Sequence, residues 1–130
     1  MGYRQADHEE TAPNAPTLII SRLASSLIGV IQPIKILPGS HAYKAYGQQE
    51  IKEQFSCNYG LNPHFRDEIA RGKLRITGLG LDEEARIVEL SDHRFYVATL
   101  FLPQISSEPD KPHPLIVAYL KAALDFRSQL

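Results

Sequence analysis

The run Phe95–Gln104, F-Y-V-A-T-L-F-L-P-Q, constrains the fold of this chain more than any other stretch. From Phe95 to Leu102 no residue carries a charge. The run is far short of the ~20 apolar residues of a membrane-spanning helix and fits a strand buried on both faces. Pro103 ends it, because proline has no amide hydrogen to give to a ladder. In α/β proteins the sites gather past the ends of such strands. Leu102 and Gln104 are therefore the first positions to inspect for chemistry, and neither side chain titrates.

A chain of 130 residues is one domain with room for a core. Its net charge of −1 offers no attraction for nucleic acid or for an anionic membrane surface. The N-terminus, M-G-Y-R-Q-A-D-H-E-E, lacks the apolar stretch of a signal peptide, so a cytoplasmic location is expected. Cys57 is the single cysteine, which excludes an internal disulfide and a cysteine-rich zinc site. A lone cysteine is more often a small buried hydrophobe than a reactive thiol. His8 sits among Asp7, Glu9 and Glu10 without zinc-motif spacing, so neither a metal nor a cofactor is expected.

Along the chain, residues 1–16 read as an irregular segment and 17–130 as an α/β domain. Thr17–Leu23 reads as a strand. Leu27–Leu37 reads as a second, with Pro33 favouring an edge or a bulge. Ser40 is placed to cap a short helix over His41–Tyr46 that Gly47 closes. Glu50–Leu61 suggests a short helix running into an extended segment. Asn62 and Pro63 start a helix that ends near Arg71–Gly72. Lys73–Leu79 and Glu84–Leu90 alternate as strands, and short turns join them into an antiparallel meander with the Phe95 strand. In the last helix Ile116, Tyr119, Leu120 and Ala123 recur at helical spacing and should pack on the sheet, so that Ile116→Asp or Leu120→Asp breaks the fold. His41, His64, His93 and His113 read as surface or turn residues.

Four of these stretches carry a resemblance. They are L-P-G-S-H-A-Y-K-A-Y-G at 37–47, N-Y-G-L-N-P at 58–63, the block at 87–104, and P-H-P-L-I-V-A-Y-L-K-A-A-L at 112–124. Together they resemble the C-terminal half of the class I glutamine amidotransferase domain of CTP synthase. More narrowly, the chain resembles the group described as CTP synthase C-terminal region-related (seleno)proteins. The resemblance implies a partial flavodoxin-like sheet with flanking helices. In that family a cysteine on a strand-to-helix elbow attacks the glutamine amide, while the histidine and glutamate of F-H-P-E-F serve as base and orienting partner. Here Leu102 stands at the histidine position and Gln104 at the glutamate position, and the elbow cysteine has no counterpart. Leucine cannot accept a proton, so the resemblance implies a scaffold incompetent for glutamine hydrolysis.

The resemblance also implies where a ligand pocket lies. Glu10 aligns with a glutamate that holds the substrate, and F-S-C-N-Y at 55–59 aligns with H-R-H-R-Y. Asn58 thus replaces a substrate-facing arginine, Tyr59 is kept, and Cys57 replaces a histidine. Two functional expectations stay open. The first is a ligand-binding or assembly module for a small amide or amino acid. The second is a thiol-dependent enzyme centred on Cys57, with Glu10, Asn58, Tyr59 and Gln104 lining its pocket. Gln104 is equally suited to bonding a ligand or a backbone group. A half-domain leaves strand edges and apolar faces to cover, so a homodimer is expected.

Overall fold

The computed structural model describes residues 1–130 and contains two sheets, with three helices around them. In the small sheet β1 (Ala6–His8) runs parallel to β2 (Thr17–Arg22), and β2 is antiparallel to β5 (Tyr59–Leu61). In the large sheet five antiparallel strands lie in the order β4-β3-β6-β7-β8. These are β3 (Ile31–Ile36), β4 (Glu50–Gln54), β6 (Leu74–Leu79), β7 (Ala85–Leu90) and β8 (Val97–Thr99). The helices are α1 (His41–Tyr46), α2 (Arg66–Arg71) and α3 (Pro114–Ser128). No helix is long and apolar enough to cross a membrane.

The local signals act where expected. Ser40 Oγ accepts from the Tyr43 amide at 2.9 Å, and Gly47 closes α1 in the left-handed region at φ 71°. Asn62 caps a 3-10 turn at Pro63–Phe65 that feeds α2. Pro33 lies where β3 is paired with β4 alone, since β6 joins β3 only at Lys35 and Ile36. Glu89 is fully buried on β7. Its carboxylate accepts from the amides of His41 at 2.7 Å and Ala42 at 3.1 Å and from Thr77 Oγ1 at 2.6 Å. That carboxylate ties α1 to the sheet, because it satisfies helix-start amides that have no partner within the helix.

The core gathers Ile34, Ile36, Ile51, Phe55, Ile87 and Phe101, with Ala42 of α1 and Leu115 of α3. Phe55 and Phe101 meet edge to face at 5.9 Å.

Four expectations need correction. The strand expected through Phe95–Leu102 pairs only over Val97–Thr99, and it lies at the edge of the large sheet with Ala98 exposed. Its continuous apolar character comes from Phe101 turning into the core past the ladder, not from burial on two faces. Glu50–Gln54 is a strand rather than a helix. A polar residue, Glu53, points inward between Ile51 and Phe55, which hides the two-residue period. Ala6–His8, expected to be irregular, adds a strand to the small sheet. Finally, α3 packs chiefly through its first turns, while Tyr119, Leu120, Leu124 and Phe126 are largely exposed.

Candidate functional site

Residues on β5 and the turn before it meet the end of β1. Tyr59 on β5 pairs with Arg22 on β2, whose Nη2 donates to the Tyr59 hydroxyl at 3.1 Å. The same guanidinium lies 5.2 Å from the Tyr59 ring centroid. His8 also approaches Tyr59, with ring centroids 5.3 Å apart. Glu10 joins this cluster through its backbone, whose amide donates to His8 Nδ1 at 3.1 Å, while its side chain is exposed. The neighbouring Glu9 carboxylate accepts from the Arg22 amide. Asn58 contributes its carbonyl to the Leu23 amide at 2.8 Å.

Cys57 is half-buried, and its thiol points at the carbonyl of Leu100, 3.7 Å away. Burial pushes this thiol above its ordinary range, and the Arg86 guanidinium only partly offsets that. Gly60, three residues on, leaves no room for a side chain: an added Cβ would lie 2.8 Å from Leu23 and 3.3 Å from Leu100. The Cys57 segment therefore rests against the strand that leads to Leu102. Leu102 is 37% exposed and begins a 3-10 turn over Pro103–Ile105 with no capping side-chain bond. Gln104 lies on that turn, exposed. The fold thus brings Glu10 and Tyr59 into one cluster and sets Cys57 against the end of β8. No hydrogen bond joins Leu102 or Gln104 to Cys57, Asn58 or Tyr59.

A histidine–carboxylate pair does exist, elsewhere. His113 was expected at the surface, but it is buried with Nε2 2.6 Å from Glu53 Oε1. Its Nδ1 accepts the Leu115 amide at 3.1 Å, so Nε2 carries the proton and donates to Glu53. Tyr46 donates to the same oxygen at 2.5 Å. Burial, and then the bond to Glu53, push the Tyr46 phenol far above its usual range. With both ring nitrogens engaged, His113 caps α3 and links it to α1 and β4. The pair lines a cleft of about 600 Å³ with Gln48, Lys52, Glu108 and Lys111, and Cys57 is not part of that cleft. The sequence held one sign of this role: His113 immediately precedes a proline at the first position of a helix, where a cap belongs.

No protein-family model matches the chain. CTP synthase of Clostridium beijerinckii is 33% identical over 135 residues, covering 96% of this chain and 25% of that protein. CTP synthase of Carboxydothermus hydrogenoformans is 34% identical, covering 95% and 25%. The chain is homologous to the C-terminal quarter of CTP synthase. The chain therefore spans about a quarter of the length of its CTP synthase relatives. Among solved structures, "Trypanosoma brucei CTPS - glutaminase domain with bound acivicin" superposes with a TM-score of 0.88 at 19% identity, covering 95% of this chain and 52% of that one. The fold is the flavodoxin-like fold of class I glutamine amidotransferases, represented by about half of the CTP synthase glutaminase domain.

Proposed function

We propose that this chain is a non-catalytic relative of the CTP synthase amidotransferase domain, working as an assembly or ligand-binding module. The observation that carries this reading is the pair Leu102 and Gln104 at the positions where the family's base and its anionic partner belong. Neither side chain accepts a proton from a nucleophile. The one histidine–carboxylate pair in the fold has both imidazole nitrogens committed to structure.

The assembly part of the reading rests on area. The chain exposes 8606 Å², whereas a folded monomer of its mass exposes about 6,900 Å². An excess of roughly 1,700 Å² on each of two chains matches the 2,000–5,000 Å² buried by obligate dimers. An apolar groove of about 310 Å³ runs between the sheets, lined by Ile20, Leu61, Val88, Ala98 and Leu100. The outer strands β5 and β8 both contribute to it. A second copy is the occupant we assign. A small amide or amino acid near Glu10 and Tyr59 is the companion ligand proposal, resting on the cluster these residues form with His8 and Arg22.

The thiol-enzyme reading lacks a comparable observation, since burial raises the Cys57 thiol rather than activating it. The deciding experiment is a glutaminase assay on the purified chain. No glutamate release above the blank is expected. Release that Cys57→Ala abolishes would overturn the proposal.

A further inference from the structure

The large sheet has a second free edge, β4, and the backbone there is set to accept a strand. At the two ends of the β3–β4 pair the Phe55 amide donates to the Val30 carbonyl at 2.9 Å and the Ile36 amide to the Gln49 carbonyl at 2.7 Å. The register between these bonds is regular, with Ile34 opposite Ile51 and Gln32 opposite Glu53. Bonded and unbonded pairs alternate in an antiparallel ladder, so Ile51 and Glu53 turn their backbone groups toward β3. The amides and carbonyls of Lys52 and Gln54 therefore point away from it, and β4 has no other neighbour in the sheet. Their spacing of about 6.8 Å is the two-residue repeat of an extended chain. We propose that this edge is a docking site for an extended peptide segment of a partner protein, one that carries an acidic side chain directly across from Lys52.

The cleft of about 600 Å³ that Glu53 and His113 line touches all four of Ile51, Lys52, Glu53 and Gln54. Side chains alternate between the faces of a strand, so a cavity that meets four residues in succession lies along its edge. The opposite wall is drawn from Ser106–Pro114. That wall does not complete the ladder. Pro109, Pro112 and Pro114 have no amide hydrogen. The Glu108 and Lys111 amides are spent on each other's carbonyls at 3.2 and 3.1 Å, and the His113 amide donates to Ser107 Oγ at 3.0 Å. A strand laid in the cleft instead bonds both backbone groups of Lys52 and both of Gln54. Its side chains set the selectivity. Lys52 is exposed and forms no ion pair, and opposite charges on adjacent strands attract. Lys111 on the far wall is likewise unpaired. Glu53 Oε1 is already committed to Tyr46 and His113. Glu108 leaves one free carboxylate on the wall, so the guest needs a single acidic residue rather than a run. A second copy of this chain fits less well, because the far wall makes the edge a slot for one strand and an edge lysine opposes its own duplicate. The site shares no residue with the Glu10–Tyr59 cluster or with the groove between the sheets, so it stands apart from the proposed function.

The probe is the peptide T-V-E-V-T, acetylated and amidated at its ends and titrated into the intact chain while backbone amides are followed by ¹⁵N-edited NMR. Saturable shifts of the Lys52 and Gln54 amides are expected, with those of β8 unmoved. The same peptide N-methylated at its glutamate loses the donor that meets Lys52 and should bind about tenfold more weakly. The peptide T-V-K-V-T should bind several-fold more weakly through like charge. Gln54→Pro deletes one outward amide at an edge position that tolerates proline, and should weaken the glutamate peptide about tenfold with an otherwise unchanged spectrum. Lys52→Glu should reverse the preference between the glutamate and lysine peptides, and it decides alone should Gln54→Pro misfold. Absence of saturable shifts at Lys52 and Gln54, equal binding of the N-methylated peptide, or an unreversed preference in Lys52→Glu would overturn the assignment. So would shifts of those two amides on concentrating the protein alone, since a second copy would then be what takes the edge.

Discussion

Glu53 is a buried carboxylate whose Oε1 takes hydrogen bonds from both Tyr46 and His113. Removing His113 strips one of those donors and also uncaps α3. A lost cap costs about 0.5–2 kcal/mol, and a buried charged acceptor short of one donor about 1–3. His113→Ala should therefore lower the unfolding free energy by about 2–4 kcal/mol in urea titrations at neutral pH. His113→Asn, which keeps a capping oxygen, should lose less; equal losses would refute the capping role. Tyr46 sets a pH window. Its phenol is raised above 10.0, the ordinary value that the unfolded chain regains. Above that pH the unfolded state binds fewer protons than the folded one, so stability falls as pH rises. The urea midpoint should be insensitive to this group below about pH 9 and decline beyond pH 10. Tyr46→Phe should flatten the decline, and an identical alkaline profile in that variant would contradict the linkage. Cys57 gives a parallel readout. Its thiol is raised above 9.0, so labelling by a disulfide reagent should be slow at neutral pH and accelerate only past that value. Rapid labelling at pH 7 would instead revive the thiol-enzyme reading.

At the scale of elements, α3 separates apolar character from burial. Leu120 sits on the stripe that periodicity assigns to the core, yet it is 54% exposed. Leu120→Asp should change monomer stability by no more than about 0.5 kcal/mol, whereas Phe101→Ala, deep in the core, should cost about 3–5. Thermal unfolding of both variants decides the matter; a collapse caused by Leu120→Asp would show that the helix packs more deeply. The same contrast explains what was legible in the sequence. The Ser40 and Asn62 caps and the Gly47 stop could be read because each needs only its own few residues. The strand at Glu50–Gln54 could not, because its inward Glu53 is stabilised by Tyr46 and by a histidine 60 residues away. The large sheet's edge at Val97–Thr99 was hidden for the opposite reason. Its apolar residues serve a core, a groove and a helix contact at once, and no local period distinguishes these uses. At the site, the lack of a titrating group at Leu102 and Gln104 was plain from residue type alone, whereas the buried Glu53–His113 pair required the fold.

For the whole molecule, the question is what covers the groove between the sheets and the free edge of β8. A strand edge with an apolar flank recruits another strand, since unpaired amides and carbonyls there are satisfied only by water or by a neighbour. Ala98 lies on β8, is exposed, and lines the groove. Sedimentation equilibrium of the purified chain should give a mass near twice 14.6 kDa, with dissociation on dilution. Ala98→Lys should yield the monomer at the same concentration with unchanged far-ultraviolet dichroism, because a charged edge residue opposes pairing without touching the core. Lys44→Ala, at an exposed α1 residue that does not line the groove, should leave the mass unaltered. A monomer in the unmodified protein would remove the second copy as the occupant. A dimer that survives Ala98→Lys would relocate the interface, and the exposed Leu120 and Leu124 of α3 become its next site to test, since an isologous helix pair buries the same residues on both chains.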